Sequence, residues 1–444
     1  MRLLTSSMKK PSLYQLPTEI KKLIVECVAL LTEKRRYTVL PQFLKLAFVD
    51  HTFYELCSQL NWNELDLMYL GIPHLEELIQ NVLPRQAKHV RSIMIGFHPG
   101  DEYDLNFKRS TNSIAIDGSD QYPERQLREI LKICPNLTKL TVHLDSNSLD
   151  EFGNFIIDPS NQMSKLLSPI SHLSNLTYIK LNNNTYSDLK EESLVKLIQR
   201  MVHLVHICIH RGVAASFPRC DFCECSESIQ PTLSPLAVHL ATLPSLKVID
   251  FDRVNCFDSG WSKIKWKGAL EEIILFNCHR ISLHSVHAFC ELFENSLVNL
   301  SLYCAPISLD DIDGWHILPD SDLKYTFRLP KLKRLSVFNL YPPEFLHLFR
   351  QCCNITSISL KLTIWESIAY LPADIKDLMD HDEPIWIHLK SLLIYQKGKF
   401  SPDEVDYLIA HGAKAGVKVE CGPLSKVGNL FIEECLRDDN FRSQ

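Results

Sequence analysis

The sequence predicts an α/β protein in two unequal parts: a three-helix N-terminal bundle, then a repeat solenoid with an inner parallel β-sheet and outer helices. Three observations support this fold class. An apolar stripe of helical period lies in the first 70 residues, and a six-residue apolar phrase recurs along the rest of the chain. The composition of the 444 residues, 45% hydrophobic and 23% charged, excludes a wholly disordered or collagen-like chain.

The bundle is predicted over residues 1–70. Pro17 suits the opening of a helix, and the apolar residues after it follow the helical period of a buried face: Ile20, Leu23, Ile24, Cys27, Val28 and Leu31. A charged linker follows, and Pro41 restarts a helical pattern that reaches Leu60. We therefore expect three short helices. Fewer than 70 residues bury little surface, so this bundle would gain stability by docking on another surface.

The solenoid is predicted over residues 71–430, as about ten irregular repeats. The recurring phrase is apolar, two variable, apolar, one variable, apolar. Its ten copies begin at Val90, Leu137, Leu176, Leu204, Leu246, Leu270, Leu297, Leu332, Ile355 and Leu389, between 23 and 47 residues apart. Because side chains alternate along a strand, the second and third apolar residues of each phrase point to one side. Segments 191–201 and 282–293 are amphipathic and predict outer return helices.

Charge and targeting patterns limit the partners and the compartment. The net charge is −6, which gives no reason to expect nucleic-acid binding, although residues 1–45 carry nine basic and three acidic residues. No apolar stretch is long enough to predict a membrane span, and the N-terminus does not resemble a secretory signal. The 15 cysteines are an odd number, so they cannot all form disulfides within the chain, and a reducing compartment is the simpler interpretation. We therefore expect the protein in the cytoplasm, the nucleus or both. Residues 431–444 are expected to form a polar tail.

One cysteine cluster allows two interpretations. Cys220, Cys223 and Cys225 have the close spacing that can supply zinc ligands, and Cys208 and His210 precede them on a predicted strand. No second ligand pair follows at zinc-finger spacing. Unligated loop cysteines are the preferred interpretation and a zinc site is the alternative, so we expect no cofactor.

Parts of this sequence resemble two known families. Leu16-Pro17 with Glu19-Ile20, the run from Val49 to Phe53, and Trp62 with Leu65 resemble the F-box. The ten phrases resemble leucine-rich repeats of the cysteine-containing subtype, most clearly in the segment from Leu270 to Ile281, where Cys278 fills the turn position.

The resemblance implies a non-catalytic adaptor of an SCF-type ubiquitin ligase. The F-box would dock a Skp-type adaptor of a cullin-RING ligase, and the repeats would bind a protein substrate of unknown identity. Ubiquitin transfer would then be promoted by raising the effective concentration of the substrate. The residues implied for adaptor docking are Leu16, Pro17, Ile20, Leu23, Ile24, Phe48 and Val49. For Leu23, Ile24 and Phe48, packing in the core of the bundle is the alternative.

The same resemblance places substrate binding on the inner strand surface, at the variable positions of each phrase. The implied residues are Tyr178, Lys180, His206, Asp250, Glu272, Asn299 and Arg334. A protein of another class is also consistent with the pattern: a free-standing leucine-rich-repeat scaffold or regulator whose N-terminal helices cap the solenoid. We expect no catalytic residues, no nucleic-acid partner and no membrane contact.

Overall fold

The structure is a computed structural model, and it describes all ten predicted strands. The described residues are 13–32, 45–68, 70, 72–97, 124–144, 169–170, 172–183, 189–214, 233–254, 256–257, 259–276, 278, 283–303, 326–338, 343–362, 371–379, 385–396 and 400–422.

One parallel β-sheet runs through the molecule. Its strands are β1 (Glu64–Asp66), β2 (Ser92–Phe97), β3 (Lys139–Leu144), β4 (Tyr178–Asn183), β5 (Leu189–Lys190), β6 (His206–Ala214), β7 (Val248–Val254), β8 (Glu272–Phe276), β9 (Asn299–Tyr303), β10 (Arg334–Phe338), β11 (Ser357–Leu362), β12 (Ser391–Gln396) and β13 (Lys418–Gly422). Apart from β5, which pairs beside β6, the strands follow one another in chain order. Such an order is typical of a solenoid, so the predicted parallel sheet is confirmed.

The ten predicted phrases coincide with β2 to β4 and β6 to β12. Every one of their thirty apolar residues is buried, and the most exposed of them, Leu389, has an exposed fraction of only 8%. These side chains belong to one continuous hydrophobic core. Each repeat therefore completes the core of its neighbours, and no single repeat closes a core by itself.

Helices return the chain between the strands. The α-helices are α1 (Thr18–Thr32), α2 (His51–Asn61), α3 (Ile72–Glu77), α4 (Leu83–Gln86), α5 (Glu124–Ile133), α6 (Glu191–Ile198), α7 (Pro235–Ala241), α8 (Leu283–Glu291), α9 (Pro372–Asp377) and α10 (Pro402–Ala415). The predicted return helices at 191–201 and 282–293 are present as α6 and α8. A π-helical turn joins α3 to α4, and 3-10 helices return the chain before β8 and β11. Within the described ranges, no helix has the length and apolarity needed to cross a membrane.

A shared hydrogen-bond pattern fixes the register at the start of each strand. The backbone N–H groups of Thr138 and Lys139 both donate to the carbonyl of Arg91, and the same arrangement recurs from repeat to repeat. The Asn136 side chain adds a bond of 2.9 Å from its Nδ2 to the Lys88 carbonyl. Side chains at equivalent positions of the phrase therefore stand side by side across the sheet.

A buried carboxylate joins two repeats on the helical side. Glu191 opens α6 with no exposed surface, and its Oε2 accepts a 2.7 Å hydrogen bond from Ser234 Oγ. Ser234 in turn caps α7 by accepting from the backbone N–H of Ala237 at 3.2 Å. The carboxylate thus lies beside the N-terminal ends of two helices, where a negative charge is favoured.

The sheet begins and ends with charged strands. In β1, the exposed Glu64 and Asp66 flank the buried Leu65; in β13, the exposed Lys418 and Glu420 flank the buried Val419. Each of these strands has one partner among the described strands.

The sheet begins earlier than the sequence suggested. We placed the start of the solenoid at residue 71, but β1 already pairs with β2 in parallel, matching Leu65 to Ile93. Leu65 and Leu67 also belong to the solenoid core. Burial of these two leucines against the first repeat explains why the chain enters the sheet immediately after α2.

The N-terminal helices form a separate small core. Val25 of α1 packs with Phe53 and Cys57 of α2, and this cluster is distinct from the solenoid core. Of the three predicted helices the structure describes two, together with one helical turn at residues 45–47. Residues 33–44 lie outside the described residues, so the complete bundle that we predicted is not shown.

Candidate functional site

The N-terminal helices expose an unusual number of large apolar side chains. Phe48 is 86% exposed, and Leu23 is 55% exposed. Ile20, three residues before Leu23 on the same side of α1, is exposed too, as are Leu13 and Tyr14 in the turn before the helix. We call these five residues the apolar face of the bundle. Exposed apolar groups of this kind, when they cluster, mark protein–protein contacts.

The orientation of α1 differs from the sequence prediction. We expected the stripe containing Ile20, Leu23 and Cys27 to be buried, but these three residues are exposed, and the inward positions belong to Lys21 and Val25. The stripe prediction is therefore wrong for these three. Ile24 and Val28, from the same stripe, are half-buried against the core.

A buried ion pair explains this orientation. Lys21 Nζ lies 2.6 Å from Asp50 Oδ2 and donates to the Tyr14 carbonyl at 3.3 Å. It also lies 5.5 Å from the centroid of the Phe53 ring. Asp50 caps α2 by accepting from the Phe53 N–H, so one carboxylate holds both helices. The hydrogen bond from Lys21, followed by that from Phe53, lowers the pKa of Asp50.

The remaining residues implied for adaptor docking differ in exposure. Pro17 is exposed at the start of α1, and Leu16 is half-buried in the turn before it. Ile24 and Val49 pack against the small core of the bundle. Of the three residues for which core packing was the alternative, Leu23 and Phe48 are thus exposed, and only Ile24 contacts the core.

A second candidate surface is the side of the sheet that faces away from the solenoid core, here called the open face. Parallel pairing places Tyr178, His206, Glu272, Asn299 and Arg334 at equivalent positions in one row. The rings of Tyr178 and His206 meet edge to face, with centroids 4.7 Å apart. The implied substrate-binding residues of this row therefore share one face of the sheet, with the buried Val248 between His206 and Glu272.

Part of this row is less accessible than the sequence suggested. Asn299 is only 4% exposed, and its Oδ1 accepts a 2.7 Å hydrogen bond from Arg334 Nε. Arg334 itself is exposed. In the next row, the serines of β9 to β11 are also buried. Arg334 is therefore the accessible member of this pair, and Asn299 orients its guanidinium.

Three potential metal ligands converge on the open face. Cys208 Sγ lies 3.1 Å from His210 Nε2 and 3.2 Å from Asp250 Oδ2, and that nitrogen and oxygen are 3.6 Å apart. Among the described residues these three form the one group whose ligand atoms all lie within 4.8 Å of each other. Cys208 is buried, whereas His210 and Asp250 are partly exposed. Lys180, another implied substrate-binding residue, stands beside Cys208 on β4.

The electrostatics of Asp250 reflect its neighbours. Burial alone would raise the pKa of Asp250, but hydrogen bonding and positive charge from His210 outweigh it, with smaller contributions from His206 and Cys208. The pKa of Asp250 is therefore lower than usual, and the carboxylate form is favoured.

Two aromatic rings lie beside a lysine farther along the open face. Lys361 Nζ lies 5.1 Å from the ring centroid of Phe276 and 5.7 Å from that of Tyr303. Burial lowers the pKa of Lys361. Contacts between an ammonium and ring faces stabilise the charged form and hold the side chain in place.

The structure brings together residues that the sequence places in different sites. In the sequence, Cys208 and His210 precede the cluster of Cys220, Cys223 and Cys225, which lie outside the described residues, and Asp250 is implied for substrate binding. The missing signal was the alignment of repeats: the phrases starting at Leu204 and Leu246 place Cys208 and Asp250 at the same position, and the sheet pairs them in that register. The contacts of Lys361 with Phe276 on β8 and Tyr303 on β9 could not be predicted from the sequence, because they depend on how the strands are aligned.

Comparisons with known proteins assign no family. No protein-family model matches the chain, and no curated protein matches it in sequence. Among solved structures, the chain is similar to one in the crystal structure of the yeast Rad7 and Elc1 complex, with 13% sequence identity and a TM-score of 0.40. The match covers 90% of this chain and 92% of the other. A likeness this low does not assign a function.

Proposed function

We propose that this chain is a non-catalytic substrate-recognition adaptor of an SCF-type ubiquitin ligase. In this proposal the N-terminal helices dock a Skp-type adaptor of a cullin-RING ligase, and the open face of the sheet binds a protein substrate. The chain would bring the substrate close to the ubiquitin-transfer machinery, and it would act by raising the effective concentration of the reactants.

The apolar face of the bundle is the observation that carries the proposal. Its large side chains are exposed although the solenoid offers an extensive core against which they could pack. Burying a side chain such as Leu or Phe is worth about 1.5–3 kcal/mol, so a second protein that covers these groups gains binding energy. Four residues that the F-box resemblance implies for docking, Pro17, Ile20, Leu23 and Phe48, are exposed.

The position of the bundle also suits an adaptor. Helix α2 contacts the solenoid through polar groups: Glu55 pairs with Lys88 at 3.1 Å, and Tyr54 accepts from Gln86 at 3.1 Å. The solenoid therefore contacts α2, while the exposed residues of α1 and Phe48 are available to another protein.

The open face supports the substrate-binding half of the proposal. It presents aromatic, basic and acidic side chains in aligned rows, including Tyr178, Lys180, Glu272 and Arg334. Tyr and Arg are the residue types that most often dominate binding energy at protein interfaces. This chemical mixture favours a folded protein or peptide over a ligand of a single charge.

Binding of the chain to a purified Skp-type adaptor tests the docking part of the proposal. Phe48→Ala and Leu23→Ala each remove an exposed apolar side chain, so each should weaken binding by at least about tenfold, or 1.4 kcal/mol. Binding can be measured by isothermal titration calorimetry with the full-length chain.

Leu292→Ala is a matched control, because Leu292 is also an exposed leucine, at 45%, but belongs to the solenoid. It should leave the affinity unchanged. Absence of adaptor binding by the unsubstituted chain would contradict the proposal, as would equal losses for Leu23→Ala and Leu292→Ala.

A free-standing repeat scaffold with a helical cap is the second candidate. Trp62, directly after α2, packs against the solenoid core, and β1 follows at once. This continuity is what a cap requires. Deleting residues 1–60 separates the two candidates. Loss of a cap should lower the thermal stability of the repeats, whereas loss of a docking module should leave it nearly unchanged and abolish adaptor binding.

A further inference from the structure

We propose that Cys208, His210 and Asp250 form a zinc-binding site on the open face of the sheet. This site differs from the zinc site that the sequence offers at Cys220, Cys223 and Cys225, because two of its ligands come from β6 and the third from β7. It needs none of the cysteines at 220–225, and it does not depend on the adaptor function.

The spacing of the three ligand atoms fits a tetrahedral zinc ion. Usual bond lengths from zinc to sulfur, nitrogen and oxygen place tetrahedral ligand atoms about 3.3 to 3.6 Å apart. The three distances among Cys208 Sγ, His210 Nε2 and Asp250 Oδ2 are 3.1, 3.2 and 3.6 Å. Zinc can therefore be accommodated with shifts of a few tenths of an ångström.

Strand geometry explains why the ligands meet. Cys208 and His210 are two residues apart on β6, so both side chains point to the open face. Asp250 is the register partner of Cys208 on the neighbouring strand. The backbone thus holds all three ligands on rigid, hydrogen-bonded strands, which reduces the entropy lost when they bind a metal.

A nucleophilic Cys–His–Asp arrangement fits the geometry less well. In such a triad the thiol bonds one imidazole nitrogen and the carboxylate orients the ring through the other. Here Cys208 Sγ and Asp250 Oδ2 both approach the same nitrogen, Nε2 of His210. Three atoms that converge on one point are the arrangement of a metal site.

Charge also favours a divalent cation. Without a metal, the Cys208 thiol donates to Asp250 Oδ2. Zinc would take the place of that proton, which passes to solvent, and a thiolate and a carboxylate together neutralise the two charges of the ion. Because His210 and Asp250 are partly exposed, the ion could enter from the open face and keep a coordination position for water or a partner group.

Metal analysis of the full-length chain tests the proposal. The protein, purified without metal-affinity chromatography, is incubated with Zn²⁺, desalted, and analysed for zinc by mass spectrometry. We expect about one zinc per chain, and Asp250→Asn and His210→Gln should each lower the bound zinc by at least about tenfold. With Co²⁺ in place of zinc, the unsubstituted chain should show a thiolate-to-cobalt absorption band that Cys208→Ser removes.

Two controls make the result decisive. Cys353→Ser replaces an exposed cysteine far along the chain and should retain the zinc. The combined Cys220→Ser, Cys223→Ser and Cys225→Ser variant should also retain it. Circular dichroism shows whether each variant is folded. Because the Asp250 side chain is partly exposed and Asp250→Asn barely changes its shape, this variant tests the site even if Cys208→Ser misfolds. No zinc on the unsubstituted chain, or zinc lost only from the triple cysteine variant, would overturn the proposal.

Discussion

The solenoid and the N-terminal bundle treat apolar residues in opposite ways. In the solenoid every apolar residue of the ten phrases is buried, whereas α1 exposes Ile20 and Leu23 and buries Lys21. The solenoid gains its stability from its own core, and the bundle keeps apolar surface for another molecule. An apolar helical stripe therefore identifies a surface to be covered, but it does not indicate which molecule covers it.

The same substitution in the two regions gives the largest contrast. Leu300→Ala removes a fully buried leucine of β9 and should lower the free energy of unfolding by about 2–5 kcal/mol. Leu23→Ala on α1 should lower it by less than about 0.5 kcal/mol, because Leu23 is already exposed to water. Urea denaturation followed by circular dichroism measures both. Similar losses for the two variants would show that Leu23 is a core residue.

The buried carboxylate of Glu191 contributes a smaller, polar part of the stability of the solenoid. Glu191→Ala leaves the hydroxyl of Ser234 and the start of α7 without their shared acceptor, so we expect a loss of about 1–3 kcal/mol. Glu191→Gln keeps an acceptor oxygen and should cost less. If Glu191→Ala left the free energy of unfolding unchanged in the same denaturation assay, the two repeats would be joined by apolar packing alone.

The ion pair between Lys21 and Asp50 gives the bundle a pH dependence of its own. Its partners hold the pKa of Asp50 below the usual 3.8, so this contribution to stability is complete above that value and is lost as the pH falls through the lower, folded-state pKa. The protection factors of the α1 amides, which correct for the intrinsic exchange rate at each pH, should therefore fall more than those of β9 as the pH is lowered from about 5 toward 3. Asp50→Asn should weaken the bundle at neutral pH and remove the extra acid sensitivity.

The smallest effect is expected at the contact between the two regions. The pair of Glu55 with Lys88 is largely exposed, and such surface pairs contribute about 0–1 kcal/mol. Lys88→Ala should thus change the unfolding midpoint very little. A loss as large as that of Leu300→Ala would show that the bundle and the solenoid unfold as one unit, which would favour the helical-cap function.

The sequence was most informative where a pattern repeats and least informative where partners come from different repeats. Ten phrases predicted ten strands because burial of their apolar residues dominates the local energetics. The strand β1 also carries the phrase, as Trp62, Leu65 and Leu67, but two of these residues were attributed to the F-box resemblance. β13 was missed because its phrase lacks an apolar first residue.

Candidate site residues were predictable only in part. The open face followed from strand alternation, so residues such as Tyr178 and Arg334 could be placed on it. Which of them touch could not be derived, because that requires the register between strands. Lys21 shows another limit: a lysine among apolar residues is expected outside, and only its pairing with Asp50 makes the buried position favourable.

The charged first and last strands bear on how copies of this protein behave at high concentration. An open parallel sheet can in principle grow without limit, since each terminal strand offers backbone groups to the next molecule. Stacking one copy on another in register would bring Glu420 beside Asp66, where like charges repel, and Lys418 beside Glu64, where opposite charges attract, and all four groups would lose hydration. Charged side chains on an edge strand are a usual protection against such growth, so the two end strands favour a solenoid of fixed length through the hydration of their side chains.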